Sequence, residues 1–291
     1  MTPFINRLSP NDQEESALSK VPSFVWKRFE DGHVLHMRFF APPNHAPDRQ
    51  APSVMFFHGG MWTLNYEEEF FSWATHLSSC GVACFIPEYR THASYEVSAE
   101  EIMHEGVEAF HWLYHNTAEL GLDPRRITLA GTDAGGLMAL YASMQPLKRR
   151  PWWRFYFSRD DLPISPASVA IFRGIVDVEA PEARLLRVGI ESPDPEAINP
   201  CALLRKHLPP LFCAHGMLDP LLDYEMREWF CEEWRSLGNK AELLLCPQGD
   251  HTLTQLKVNP VVFEQVLMAW STFMVDLSLW PEEAVAEPTL I

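Results

Sequence analysis

Four short segments carry the side chains that could do chemistry. Gly131-Thr132-Asp133-Ala134-Gly135 sets a carboxylate between two glycines, at the spacing of a tight strand-to-helix turn. Small neighbours let the central residue take a strained backbone and project above a sheet at a helix N-terminus. The same aspartate could instead cap that helix. His58-Gly59-Gly60-Met61-Trp62 follows an apolar run, and its glycines allow a sharp turn whose N–H groups would stabilise an oxyanion. His215-Gly216-Met217-Leu218-Asp219 continues to Asp223, so either Asp219 or Asp223 could orient a histidine, and either could cap a helix. Gly249-Asp250-His251 supplies that histidine after the last apolar run, in the chain order nucleophile, acid, histidine. His111 and His115 are spaced for a metal on a helix face, but no third ligand completes a set, and a plain helix surface is expected. Trp152 and Trp153 among Arg149, Arg150 and Arg154 read as partly buried aromatics with solvated arginines rather than an anion site.

These segments need a scaffold that brings them to one end. Residues 24–29 and 34–40 flank Asp31-Gly32, a hairpin signal. Apolar runs then follow at 53–57, 82–87, 127–130, 168–172, 210–214 and 241–246. Helix-period stretches separate or follow them at 67–79, 98–120, 134–145, 222–237 and 261–275. Fully apolar strands alternating with helices predict an α/β fold: a mostly parallel sheet, helices on both faces and antiparallel strands at one edge. Residues 146–166 and 173–200 break the alternation; the second is a candidate small lid over the sheet's carboxyl end, or a plain surface loop.

Together the four segments resemble the hormone-sensitive-lipase-like and arylformamidase-like branch of the α/β-hydrolases, from about residue 54 to the end. Pro87-Glu88-Tyr89-Arg90 resembles that branch's Asp-Tyr-Arg segment. Ile198-Asn199-Pro200 ahead of Leu208-Pro209-Pro210-Leu211 resembles the phrase before its acid-bearing strand. The resemblance implies Asp133 at the nucleophile position, Asp219 as the acid and His251 as the base. It also implies an oxyanion hole from the backbone N–H groups of Gly60, Met61 and Ala134, with no cofactor and no metal. The chain departs from the branch at one decisive place, because Asp133 stands where a serine is usual.

That departure changes the chemistry. A carboxylate attacking an ester gives a mixed anhydride, less stable than the ester, whereas it attacks sp³ carbon competently. Epoxide hydrolases and haloalkane dehalogenases of the same broad fold use an aspartate in this way. A second route keeps Asp133 as an acid or base beside His251, whose proton two flanking carboxylates would hold. Tyr66, Tyr95, Tyr141 and Tyr156 are candidate acids for epoxide opening. The expected function is hydrolysis or hydrolytic cyclisation of a small apolar electrophile, an epoxide before others, in natural-product metabolism. The alternatives are a carboxylesterase-like hydrolase, a non-hydrolytic acid/base cyclase or lyase, and a non-catalytic receptor of the same fold.

Composition bounds the rest. The 291 residues suffice for one domain with a polar arm over 1–20. A formal net charge of −16 repels phosphate backbones and anionic lipid, which argues against nucleic acid or a membrane surface as partner and leaves a small-molecule substrate. The six cysteines form no Cys-x-x-Cys pair and several lie in apolar runs, so they read as reduced and buried. No secretory signal opens the sequence, and a cytoplasmic location is the expectation.

Overall fold

The computed structural model describes residues 21–145, 165–183 and 194–285. The predicted arm, most of 146–166 and the middle of the predicted lid lie outside them, as do Trp152, Trp153 and Tyr156.

Eight strands form one sheet: β1 (Ser23–Arg28), β2 (Val34–Phe40), β3 (Ala51–Phe57), β4 (Ala83–Pro87), β5 (Leu122–Thr132), β6 (Ser168–Phe172), β7 (Leu211–Gly216) and β8 (Ala241–Cys246). Their spatial order is β1-β2-β4-β3-β5-β6-β7-β8. The β1–β2 and β2–β4 pairs are antiparallel, and every later pair is parallel. This is the mixed α/β-hydrolase sheet expected from the sequence, with its antiparallel strands at one edge.

Strands covered on both faces must be apolar on both, and β3, β4, β6 and β7 are buried throughout. The period of two divides their side chains between two cores. Met55, Phe57, Ile127, Leu129, Val169, Ile171 and Cys213 face one, under α2 (Ala99–His115), α3 (Asp133–Ser143) and α4 (Tyr224–Ser236). Val54, Phe56, Ala130, Ala170, Phe172 and Phe212 face the other, under α1 (Phe71–Ser79) and α5 (Pro260–Asp276).

Local signals set the helix ends. α2 starts on a capping box, with Ser98 and Glu101 each bonding the other's backbone N–H. It ends at His115 rather than continuing to 120, because residues 116–121 turn back into β5. Asp223 accepts the Glu225 N–H at the start of α4, so it is the helix cap of the two acid candidates. The described flanks of the predicted lid pack on each other: Asn199 donates to Asp177 at 2.8 Å, and the Cys201 thiol lies 3.1 Å from the Val176 carbonyl.

Candidate functional site

The parallel register builds the centre of the site. Thr132, the last residue of β5, pairs with Phe172, the last of β6. The next residue on each strand is therefore brought side by side: Asp133 and Arg173. Both take positive φ, 46° and 47°, a costly backbone for residues with a side chain. At the elbow the helix runs so close to the sheet that no side chain fits two residues before or after Asp133. A Cβ on Gly131 would lie 2.3 Å from the Gly135 carbonyl oxygen, and one on Gly135 would lie 2.1 Å from that of Phe57. Asp133 is the first residue of α3 and not its cap; that place belongs to Thr132.

His251 reaches the elbow from the loop after β8. Its Nδ1 lies 2.8 Å from Asp219 Oδ2, and its Nε2 lies 3.2 Å from Asp133 Oδ1. The Asp219 side chain is fully buried and is held from its other oxygen by the N–H groups of Leu221 at 2.8 Å and Leu222 at 3.2 Å. The structure thus brings together the three side chains the sequence singled out, Asp133, Asp219 and His251. Gly60 and Met61 follow β3 with positive φ, and Ala134 follows Asp133 in the first turn of α3. Tyr95 bonds His33 at 2.7 Å and Tyr141 packs edge-on against His104, so both are engaged elsewhere. His111 and His115 lie on α2, and among the described residues no group of three His, Cys, Asp or Glu side chains is placed to hold a metal ion.

Two residues of the site went unnoticed in the sequence. Arg173 Nη1 donates to Asp133 Oδ2 at 2.6 Å and points at His251 Nε2 from 2.9 Å. Its Nη2 donates to Glu69 Oε1. Glu69 comes from the 3₁₀ turn Glu67–Phe70 ahead of α1 and is fully buried. A charged residue directly after the apolar run 169–172 was the available signal for Arg173. Glu69 offered none, since it is one of three consecutive glutamates.

Charge follows from these contacts. Burial by itself raises the Asp133 carboxyl, but the Arg173 guanidinium, then His251, reverse this and hold it down to about 2. Burial disfavours the His251 imidazolium, yet the flanking carboxylates of Asp133 and Asp219 outweigh burial and push it up to about 9. Nε2 is flanked by a donor, Arg173, and an acceptor, Asp133, whose 3.2 Å contact is an ion pair not aligned as a hydrogen bond. A neutral ring would accept from the first; the imidazolium faces the second. His215 goes the other way: burial, then Arg227, lower it to about 4.

A family model described as the alpha/beta hydrolase fold matches residues 54–255, more than half the chain. The chain belongs to the α/β-hydrolase-fold family. An AB hydrolase superfamily protein of Schizosaccharomyces pombe is 33% identical over 107 residues, 36% of this chain and 31% of that protein. The probable carboxylic ester hydrolase LipM of Mycobacterium tuberculosis is 24% identical over 224 residues, 72% of this chain and 51% of LipM. These matches span about half or less of each curated relative's length. Esterase 2 of Thermogutta terrifontis, in its propionate-bound structure, superposes with a TM-score of 0.77 at 23% identity, covering 90% of this chain and 96% of that one.

Proposed function

We propose that this α/β-hydrolase works by acid–base catalysis at His251, with Asp133 as a fixed counter-charge and proton acceptor. Its substrate is a small apolar electrophile, an epoxide before others. The observation that carries this reading is the 2.6 Å contact between Arg173 and Asp133. An attacking carboxylate needs an available lone pair and an undiminished charge, and a buried guanidinium takes from both. His251 is the most exposed member of the group, 23% against 12% for Asp133, so the imidazole is the group offered to a substrate.

In the proposed reaction the His251 imidazolium gives its Nε2 proton to the epoxide oxygen as a carbon–oxygen bond breaks. A water forms the new bond at that carbon and passes a proton to Asp133 Oδ1. That proton then crosses the 3.2 Å to Nε2, and epoxide plus water has become a diol with the enzyme restored. Asp133 is a weak base, but the water it relieves is by then an oxonium, a far stronger acid than a carboxylic acid. Exposed Met61 and Leu64 on the loop after β3, and Met217, Leu218 and Leu221 on the loop after β7, give the approach an apolar character.

A second reading, ester hydrolysis, is favoured by relatives named as ester hydrolases. Without a serine it would need a neutral His251 to deprotonate water, so its rate would climb as pH rises toward about 9. Single turnover of styrene oxide by excess enzyme in ¹⁸O-water tests the proposal. Label should enter the diol and not the peptide carrying Asp133; label in that carboxylate overturns the acid–base route. Asp133→Asn should lower turnover by roughly 10²-fold or more. Turnover of p-nitrophenyl acetate but not of epoxides, rising with pH, would favour the ester reading.

A further inference from the structure

We propose that Glu69 is the positioning residue of this site: one buried carboxylate that joins the segments carrying Gly59, Thr132, Arg173 and Thr254 and, by holding Arg173, sets how tightly His251 keeps its proton. For its effect on rate the inference rests on the reading of His251 as the acid; for its effect on the proton it does not.

A carboxylate has about four lone-pair sites, and four donors use those of Glu69. Oε2 accepts from the Gly59 N–H at 3.1 Å and the Thr132 hydroxyl at 2.6 Å. Oε1 accepts from the Thr254 hydroxyl at 3.1 Å and from Arg173. The donors come from the turn after β3, the end of β5, the loop bearing His251 and the end of β6. These segments are far apart in sequence and converge here. Thr254 also accepts from Arg173 at 3.3 Å, and its carbonyl takes the Trp73 indole N–H at 3.0 Å, which ties the His251 loop to α1. Glu67, two residues before Glu69, is turned to β2, where Arg38 holds it at 2.9 Å.

The groups facing His251 are Asp133 from the elbow, Arg173 from the end of β6, and Asp219 from the loop after β7, itself 3.5 Å from His215. Neighbouring Asp250 is turned to the Thr252 N–H and hydroxyl. Arg173 is the cation aimed at Nε2, and Glu69 balances half of what that cation meets. With Glu69 neutral, the Arg173 charge is offset by Asp133 alone, and the His251 proton leaves more easily. With Arg173 neutral, the proton is held more tightly. The two changes move one histidine in opposite directions, which loosened packing would not do.

The test is the His251 titration in full-length, histidine-labelled protein followed by NMR, with the resonance assigned through His251→Asn. Glu69→Gln should lower the midpoint by roughly one unit, tenfold in proton affinity, and Arg173→Gln should raise it. The alkaline limb of the epoxide pH–rate profile should move with each, and Glu69→Asp should recover part of the shift. The double variant Glu69→Gln/Arg173→Gln removes both charges, so it stays folded if a single variant does not, and its midpoint should lie near that of the unmodified protein. An unmoved midpoint in folded Glu69→Gln, shifts of the same sign in both single variants, or a double variant displaced as far as either single would each overturn the proposal. Midpoints that move as stated in a protein without turnover would keep this positioning role and remove the acid role of His251.

Discussion

With Arg173 beside it, the aspartate at position 133 is held as an anion. Its depressed proton affinity and the raised one of His251 both feed into stability, with opposite pH dependence. Asp133 has an ordinary value of 3.8 and about 2 in the fold, so its contribution is present above pH 4 and lost as pH falls toward 2. His251 has an ordinary value of 6.5 and about 9 in the fold, so its contribution is complete below pH 6.5 and is lost as pH rises to 9. The protein should therefore lose stability between pH 6.5 and 9, by at most on the order of 3 kcal/mol from this group. His251→Asn should flatten that slope. Urea melts at half-unit pH steps check it: parallel curves for the two proteins over this window would mean that His251 is not charged in the fold.

At the scale of elements, the sequence was most readable where one force dominates. The apolar run at 168–172 coincides with β6, because a strand buried on both faces leaves little choice of residue, and the run at 241–246 coincides with the half-exposed edge strand β8. The acid and the histidine were readable because short loops after apolar strands can only lie at the sheet's carboxyl end. Position 127 marked just the middle of β5, which begins at Leu122, since the pairing of Leu122 with Ala51 crosses a register shift that no local pattern encodes. Glu69 and Arg173 were unreadable for a related reason. They stand 104 residues apart, and each looks like an ordinary surface charge until register places Arg173 beside Asp133. This has a consequence for installing an esterase. Asp133→Ser alone leaves Arg173 against His251 Nε2 without its aspartate; the ring is then neutral, but the Arg173 N–H occupies the Nε2 lone pair that must take the serine proton and lowers its basicity. It should hydrolyse p-nitrophenyl acetate barely above background. Adding Glu69→Gln and Arg173→Ser should raise the rate roughly 10²-fold. Full esterase activity in the single variant would show that Arg173 is no obstacle.

At the scale of the molecule, the sheet divides two aromatic-rich cores, and the loops that follow β3 and β7 carry exposed methionines and leucines. No helix among the described residues is long and apolar enough to cross a membrane. The chain carries a net charge of −16, and the site itself sums to −1: Glu69, Asp133 and Asp219 against Arg173 and the His251 imidazolium. Field and site therefore have the same sign. If epoxides are the substrates, as proposed, an anionic one such as a glycidate should meet repulsion on approach and again beside Asp133, while neutral styrene oxide should meet neither. For the neutral substrate kcat/KM should be indifferent to ionic strength. For the anion it should be lower at low salt and rise several-fold, by roughly threefold or more, as the Debye length falls from about 30 Å at 0.01 M toward 3 Å at 1 M. The slope is the diagnostic quantity, because a steric preference alone would give different rates with equal salt dependence. If the anion's kcat/KM instead falls with added salt, a cation is receiving it, and Arg173 would then be a substrate-binding group rather than the fixed partner of Glu69 and Asp133.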